Sequence, residues 1–275
     1  MTDEQENIIR ELGVSKAFIV QHEVERRVDF LTNYARSAGA RSLVLGISGG
    51  VDSLTAGLMA QRAVLSLRAN GYHAQFIAVR LPYGSQADER DARKCLRVID
   101  PDRVMTIDIQ PAADAMMASI MPEAGELLSG PRQSFHLGNI KARQRMIAQY
   151  ALAGADRGLV LGTDHAAEAL MGFYTKFGDG AADILPLAGL NKRRVRSLAR
   201  ELGAPDDLVL KVPTADLESD APLKPDEEAF GVTYDEIDDF LEGKNIAPAA
   251  LERVLNAYRA TVHKRSLPVS PLPSV

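Results

Sequence analysis

Residues 43–53 read Leu43-Val44-Leu45-Gly46-Ile47-Ser48-Gly49-Gly50-Val51-Asp52-Ser53. The first three residues are apolar, which is typical of a buried parallel strand. A glycine pair then predicts a turn, and after it apolar residues recur at helical spacing: Leu54, Leu58, Met59 and Leu65. A strand, a glycine turn and a helix N-terminus together form an anion site. The glycines let the backbone approach closely, and the first N–H groups of the helix are free.

The polar residues of this stretch indicate which anion it binds. Ser48 and Ser53 add hydroxyl donors. Asp52 would repel a phosphate unless a cation lies between them, and a carboxylate beside a polyphosphate is a suitable Mg²⁺ ligand. The stretch therefore predicts a site for a polyphosphate and Mg²⁺.

Several interpretations of this stretch compete. A Walker A loop is excluded because no Gly-Lys-Ser/Thr follows the turn. Gly46-Ile47-Ser48-Gly49-Gly50 matches the G-x-S-x-G nucleophile elbow, but a hydrolase also needs an Asp and a later His. A plain tight turn is the simplest alternative. Ser48 to Ser53 also resembles the Ser-Gly-Gly-x-Asp-Ser pyrophosphate loop of N-type ATP pyrophosphatases, and the strand and helix around it fit that loop.

Length, charge and cysteine content limit the possible functions. The 275 residues suffice for one large α/β domain or two small ones, and the net charge of −5 disfavours general nucleic-acid binding. Cys95 is the only cysteine, which excludes intramolecular disulfides and cysteine zinc clusters, and we expect it to be a packing residue. The N-terminus lacks an apolar signal core, and no apolar run approaches membrane-spanning length. These features predict a cytoplasmic protein with no nucleic-acid or membrane partner.

Strands and helices alternate along the chain. Further apolar runs predict strands at 75–79, 104–108 and 159–162. Helices are predicted at 3–38, 86–99, 111–121, 137–153, 192–202, 234–242 and 248–261, with a mobile loop at 123–134, a candidate lid at 172–183 and a loop at 216–228. This order predicts an open parallel sheet with helices on both faces. We expect a single domain over 1–275, with an N-terminal helical arm at 1–40 and an irregular tail at 262–275.

Several polar segments follow predicted strands. The phosphate loop, residues 80–86, residues 163–168 and Thr214 all lie near carboxyl ends of strands or in loops. Ligands bind at that edge of an open α/β sheet, so one site could collect all four segments.

Six motifs together resemble those of ammonia-dependent NAD synthetase, an N-type ATP pyrophosphatase. They are Ser48 to Ser53, Arg80-Leu81-Pro82-Tyr83-Gly84, Leu161-Gly162-Thr163-Asp164-His165-Ala166-Ala167-Glu168, Thr175-Lys176-Phe177-Gly178-Asp179-Gly180, Lys211-Val212-Pro213-Thr214-Ala215-Asp216-Leu217 and His263-Lys264-Arg265. The resemblance covers nearly the whole chain. It implies a homodimer with a Rossmann-like, adenine-nucleotide α-hydrolase-like fold. The implied reaction converts ATP, deamido-NAD and ammonia to NAD, AMP and pyrophosphate.

The resemblance also implies a role for individual residues. It implies ATP binding by Gly46, Ile47, Ser48, Gly49, Gly50, Val51, Asp52, Ser53, Arg80, Gln86, Thr163, Lys192 and Thr214. It implies Mg²⁺ binding by Asp52 and Glu168, and deamido-NAD binding by Arg143, Lys176, Asp183, His263 and Lys264. The chain departs from the family pattern at Val51, Met171 and Ala181, and the last two could alter how the lid closes.

The implied chemistry assigns three catalytic residues. The nicotinate carboxylate attacks the α-phosphate of ATP, and Ser48, Lys192 and Mg²⁺ stabilise the departing pyrophosphate. Ammonia then attacks the acyl-adenylate, and Asp183 orients or deprotonates ammonium. Since Cys95 is the only cysteine and no nitrogen-delivering domain is visible, we expect free ammonia, or ammonia from a separate protein, as the nitrogen source. A related ATP pyrophosphatase with another substrate, such as a nucleotide amidase-synthetase or a tRNA thiolase, remains an alternative, as does a non-enzymatic adenine-nucleotide sensor.

Overall fold

A computed structural model describes residues 2–85, 89–215, 224–266, 268–269 and 271. The described helices are α1 Asp3–Glu11, α2 Val20–Ser37, α3 Val51–Ala69, α4 Glu89–Ile99, α5 Gln110–Leu128, α6 Gln133–Ala155, α7 Ala166–Met171, α8 Lys192–Glu201, α9 Asp206–Val209, α10 Asp226–Phe230, α11 Tyr234–Leu241, α12 Pro248–Ala260 and α13 Val262–Arg265. The described strands are β1 Ser42–Gly46, β2 Gln75–Arg80, β3 Arg103–Thr106, β4 Gly158–Val160, β5 Thr214–Ala215 and β6 Lys224–Pro225.

The first four strands form one parallel sheet, in the order β3-β2-β1-β4. Strand β1 pairs with β2 from Ser42 opposite Gln75 to Gly46 opposite Val79, and with β4 on its other side. The chain therefore reverses its direction across the sheet at β1. In open α/β sheets a ligand crevice forms at such a switch point, at the carboxyl ends of the strands. This topology places the crevice beside residues 46–53.

Both faces of the sheet are covered, as the sequence predicts. Alternate residues of β1 point in opposite directions. Leu43 and Leu45 belong to an apolar cluster formed with α2, α3 and α8. Val44 belongs to a second cluster that includes Ile109, at the start of α5, and Ala153 of α6. The predicted open α/β fold is confirmed.

A third apolar cluster lies beside the sheet and includes the start of the chain. Ile8 and Ile9 of α1 are buried there with Leu170 of α7, Phe240 of α11 and Val254 of α12. Helix α2 packs against α3 and α8. Ile8 and Ile9 of α1 and Leu31 of α2 are therefore buried within their own chain, whereas Phe30 and Tyr34 of α2 are exposed.

The predicted mobile loop at 123–134 is wrong. Helix α5 continues to Leu128 through Pro122, with a kink where Ala124 leaves helical geometry, and α6 already begins at Gln133. A proline removes one N–H and bends a helix without always ending it. Gly125, Gly130 and Pro131 suggested a loop, but the chain only bends near Ala124 and leaves helical structure only at 129–132.

Two further segments are more ordered than the sequence predicts. Residues 226–228 were predicted as loop but form the first turn of α10, whose three acidic residues favour a helix N-terminus. Residues 262–265 were predicted as irregular tail but form α13, held by Arg265, which donates hydrogen bonds to Ala169 O and Tyr258 O. Gln86, a predicted ATP residue, and Asp216-Leu217, the end of the fifth motif, lie outside the described residues, as do tail residues 267, 270 and 272–275. In the described ranges, no helix is both long and apolar enough to cross a bilayer.

Candidate active site

The loop between β1 and α3 has the geometry of an anion site. Gly49 has a φ of +92°, and a Cβ atom there would lie 2.9 Å from the backbone N of Ala92. Only glycine satisfies both constraints. Helix α3 begins at Val51, and its N-cap Gly50 has no side chain that could satisfy the first N–H groups. These N–H groups remain available to an anion.

The two serines of the loop contact each other. Ser48 Oγ lies 3.2 Å from Ser53 Oγ, and Gly50 N donates a hydrogen bond to Ser48 Oγ at 3.3 Å. Ser53 Oγ in turn donates to Gly50 O at 3.1 Å. No histidine of the described chain hydrogen-bonds to Ser48, so the base that a nucleophile elbow requires is missing. This geometry disfavours the hydrolase alternative.

The loop lines a cleft at the carboxyl edge of the sheet. Residues from the neighbouring elements complete its wall: Arg80, Leu81, Arg145, Gln149, Thr163, Glu168, Lys192, Lys211, Pro213, Thr214 and Asp226. The predicted convergence of the phosphate loop with Arg80, Thr163, Glu168 and Thr214 is therefore observed. Gly49 contributes the turn of the loop and does not line the cleft.

Arg80 fixes one wall of the cleft. Its buried guanidinium donates hydrogen bonds to Ile47 O and to Glu89 Oε2, the latter at 2.7 Å. The arginine thus ties the end of β1 to the start of α4. Its positive charge lies beside the phosphate loop, where it favours a polyanion.

Lys192 brings a second positive charge into the cleft. Its Nζ lies 2.7 Å from Asp52 Oδ2. Burial alone would lower the pKa of Lys192, but the carboxylates of Asp52 and Glu168 outweigh it and raise that pKa. Burial likewise favours neutral Asp52, but the charge of Lys192 outweighs it and lowers the pKa of Asp52. The pair is therefore a buried lysinium and carboxylate.

Asp52 and Glu168, the predicted metal pair, lie in one cluster with His165. One oxygen or nitrogen from each of the three residues lies within 4.8 Å of the others. Asp52 Oδ1 is buried without a hydrogen-bond partner in the described chain. Burial, together with the charge of Asp52, raises the pKa of Glu168 well above its usual value. A hard divalent cation would stabilise both carboxylates, so this donor set fits Mg²⁺.

Asp183 lies at the end of β4 and has a structural partner. Its Oδ2 accepts a hydrogen bond from Val160 N at 2.7 Å, and its backbone N donates to Val160 O at 2.9 Å. Asp183 is exposed and does not line the cleft. Its predicted contact with ammonium remains a prediction.

The other predicted deamido-NAD residues form a second group. Arg143 of α6 donates a hydrogen bond to Lys176 O at 3.3 Å, and Lys176 Nζ donates to His263 O. Lys264 Nζ donates to Gly172 O at 2.8 Å and to Tyr174 O at 2.7 Å. None of these four basic residues lines the cleft. They connect α6, the 172–183 segment and α13, and this segment contains no described helix or strand.

Gln149 and Lys211 line the cleft but were not among the predicted site residues. Gln149 Oε1 accepts a hydrogen bond from Gly46 N at 2.7 Å, and Lys211 pairs with Asp91 at 2.7 Å. A glutamine within a mixed helix such as α6 gives no sequence signal for such a contact. Of the departures from the family pattern, Met171 is buried in the third apolar cluster and Ala181 lines the cleft.

Comparisons with known proteins cover nearly the whole chain. The sequence profile of the NAD synthase family matches residues 23–268. An NH(3)-dependent NAD(+) synthetase from Burkholderia cenocepacia is 61% identical over 264 residues, covering 96% of this chain and 94% of that protein. The crystal structure of NAD+ synthetase from Burkholderia pseudomallei has a TM-score of 0.83 and 58% identity, covering 96% of this chain and 97% of that one. The structure of an NMN synthetase from Francisella tularensis has a TM-score of 0.80 and 36% identity, covering 93% and 99%.

Proposed function

Because the chain belongs to the NAD synthase family, we propose that it is the ligase that amidates deamido-NAD with ammonia, converting ATP to AMP and pyrophosphate. One observation carries the proposal: a pyrophosphate-type loop lines the same cleft as Lys192, Asp52 and Glu168. The sensor alternative would not need this buried charged set. A thiolase of tRNA would have to bind a polyanion with a chain of net charge −5.

ATP is assigned to the cleft. The free N–H groups at the start of α3, the hydroxyls of Ser48 and Ser53, and the cations Arg80 and Lys192 would hold its phosphates. Thr163 and Thr214 complete the proposed ATP site together with the rest of residues 46–53. Asp52 and Glu168 would hold Mg²⁺, which supplies charge neutralisation for the departing pyrophosphate when it is bound.

The chemistry then proceeds in two steps. A carboxylate oxygen of the nicotinate ring attacks the α-phosphorus, and the bond to the pyrophosphate breaks. Lys192 and the loop N–H groups stabilise the charge that grows on the leaving oxygen. Ammonia next attacks the acyl carbon, AMP leaves with the electron pair of that bond, and the nitrogen loses a proton. We assign the orientation of the nitrogen nucleophile to Asp183.

Deamido-NAD is assigned to the second basic group. This group contains the cationic side chains of Arg143, Lys176 and Lys264, with His263 beside them. The diphosphate of deamido-NAD is an anion that such cations bind. These residues do not line the ATP cleft of the chain. We therefore propose a homodimer in which the basic groups of the two chains come together. We further propose that the chain is one domain and acts in the cytoplasm.

The test is an assay on the purified chain. ATP, Mg²⁺, ammonium and deamido-NAD should give NAD, AMP and pyrophosphate in equal amounts, and glutamine should not replace ammonium. The variant Glu168→Gln, which keeps the shape of the side chain but loses a charge, should be inactive. Activity with glutamine in ammonia-free solution would contradict the proposed nitrogen source.

The same assay can compare two candidate substrates by their kcat/KM values. The likeness to an NMN synthetase makes nicotinate mononucleotide the second candidate, since it carries the same nicotinate carboxylate. We expect a higher kcat/KM for deamido-NAD. A higher kcat/KM for the mononucleotide would assign the chain to the second reaction, with the same ATP chemistry.

A further inference from the structure

His165 lies between the two proposed metal ligands. The side chain is fully buried, with 1% of the residue exposed. Its Nε2 lies 3.5 Å from Asp52 Oδ1 and 3.6 Å from Glu168 Oε2. Neither Nε2 nor Asp52 Oδ1 has a hydrogen-bond partner within the part of the chain that the structure describes. Buried polar atoms destabilise the fold unless they form hydrogen bonds with a neighbouring group or a ligand.

The other ring nitrogen fixes which atom carries the proton. His165 is the N-cap of α7, and its Nδ1 accepts a hydrogen bond from Glu168 N at 3.4 Å. A nitrogen that accepts a hydrogen bond carries no proton, so the proton of the neutral ring is on Nε2. A protonated ring nitrogen has no lone pair for a metal. His165 therefore offers the carboxylates a donor.

We propose that His165 is a positioning residue for the Asp52 and Glu168 carboxylates, and not a third metal ligand. Its Nε2–H faces one oxygen of each carboxylate, at 3.5 and 3.6 Å, and would donate to them in the metal-bound site, where their other oxygens remain for the cation. The inference rests on the metal assignment of the proposed function.

A hydrogen-bond donor at this position offsets the repulsion between the two neighbouring carboxylates. Two carboxylates whose oxygens lie this close repel each other, and both are largely withdrawn from water. Lys192 pairs with Oδ2 of Asp52, whereas His165 faces Oδ1 of Asp52 and Oε2 of Glu168. Groups that hydrogen-bond to metal ligands hold them in place, and their loss typically costs about 10–100-fold in metal affinity.

The first experiment needs no variant. Mn²⁺ replaces Mg²⁺ in the wild-type protein with α,β-methylene-ATP, and electron spin-echo spectroscopy detects nitrogen nuclei bound to the ion. We expect no coupling from a directly bound imidazole, in spectra of protein with either ¹⁴N- or ¹⁵N-histidine. A directly bound histidine nitrogen that disappears in His165→Ala would overturn the inference.

The second experiment separates the two ring nitrogens by isosteric variants. In His165→Asn the amide oxygen takes the place of Nδ1 and keeps the helix cap, but nothing replaces Nε2. In His165→Gln the amide nitrogen takes the place of Nε2, but the cap is lost. We expect Asn to keep the better thermal stability and Gln to keep the better Mn²⁺ affinity, with Asn weakening Mn²⁺ binding about tenfold or more. Equal Mn²⁺ affinity in Asn and wild type would contradict the inference, because a purely structural histidine predicts that result.

The outcomes also separate this inference from the proposed function. Wild-type protein that makes NAD but shows a histidine-bound Mn²⁺ would contradict only the positioning role of His165. The proposed reaction alone would be contradicted if the wild type makes no NAD, while His165→Asn keeps the better thermal stability and His165→Gln the better Mn²⁺ affinity. A wild type that binds no Mn²⁺ with the nucleotide overturns both the metal assignment and the role of His165.

Discussion

Lys192 Nζ lies 2.7 Å from Asp52 Oδ2, although 140 positions separate the two residues in the sequence. The lysine side chain is 1% exposed and that of Asp52 18% exposed. The pair joins the start of α8 to the start of α3, so both helix ends meet at the phosphate loop. Removal of one member of a buried ion pair costs far more than the pair contributes, because the other charge stays buried alone.

We therefore expect Lys192→Met to lose NAD formation and about 3 kcal/mol of unfolding free energy. The double variant Lys192→Met/Asp52→Asn should regain most of the stability and none of the activity. Urea unfolding and the NAD assay measure the two effects. Lys244→Met removes an exposed lysine that pairs with Asp239 and Glu242, and it should leave the stability nearly unchanged because exposed ion pairs contribute little. A double variant no more stable than Lys192→Met would show that the two charges are not coupled.

The second prediction concerns Gly49 and uses Gly71 as its control. Both have positive φ, +92° and +75°, but an added Cβ meets backbone atoms only at Gly49. Gly71→Ala should cost about 1 kcal/mol from backbone strain alone. Gly49→Ala adds a clash with α4, so it should cost more and should raise the KM for ATP. Equal stability of the two variants by urea unfolding would mean that the turn moves freely away from α4.

The third prediction concerns Ser48. We expect Ser48→Ala to lower kcat about tenfold through loss of one hydrogen bond to a phosphate, with the fold unchanged. A fluorophosphonate probe should not label Ser48 in the wild type, since no histidine of the described chain activates it. Ser119→Ala, on an exposed face of α5, serves as the control and should keep full activity. Labelling at Ser48, detected by mass spectrometry, would restore the nucleophile-elbow interpretation.

Local sequence predicted the parts of this fold that local interactions determine. The strand, glycine turn and helix from Leu43 onward follow from adjacent residues, and so does the anion site between them. The assignment of ATP to residues 46–53 came from the family resemblance. The parallel sheet followed from the alternation of strands and helices. The wrong loop at 123–134 has the same origin, because glycines and a proline in the sequence do not reveal whether later packing lets a helix continue through them.

The assembled site depends on contacts that local sequence does not contain. The resemblance identified Asp52, Glu168 and Lys192 as site residues, but not the ion pair between two of them. It gave no sign that His165 lies against both carboxylates. Gln149, which binds Gly46 N, lies 103 positions from its partner. Such contacts arise only when the strands are ordered β3-β2-β1-β4 and bring separate loops to one edge.

The fourth prediction separates two roles in α13. Lys264 holds the backbone of the 172–183 segment, whereas the side chain of His263 is exposed. Lys264→Ala should therefore loosen the segment in hydrogen exchange and raise the KM for deamido-NAD. His263→Ala should raise that KM without a change in exchange, and both variants should keep the KM for ATP. His22→Ala, an exposed histidine on α2, is the control. An unchanged deamido-NAD KM in both variants would remove these residues from the substrate site.

The last prediction is a pH dependence that comes from Asp238. This residue of α11 is 1% exposed, and its carboxylate accepts hydrogen bonds from Lys192 N at 3.0 Å and Arg193 N at 2.7 Å. Burial raises the pKa of Asp238 to about 6, although the two N–H donors oppose the increase. Asp238 therefore caps the helix that carries Lys192, at the cost of a buried negative charge.

The direction of the effect follows from the two pKa values. In the unfolded chain Asp238 has the ordinary value of 3.8, so the folded protein holds the proton more tightly. The resulting stabilisation is complete below about pH 4 and is lost as the pH rises through about 6. In Asp238→Asn this contribution is absent. The wild type should thus lose about 2–3 kcal/mol of unfolding free energy relative to the variant between pH 4 and pH 7. Urea unfolding across this range measures the difference, with Asp235→Asn, an exposed position of the same helix, as the control. Parallel stability curves for wild type and Asp238→Asn would show that the buried carboxyl does not titrate in this range.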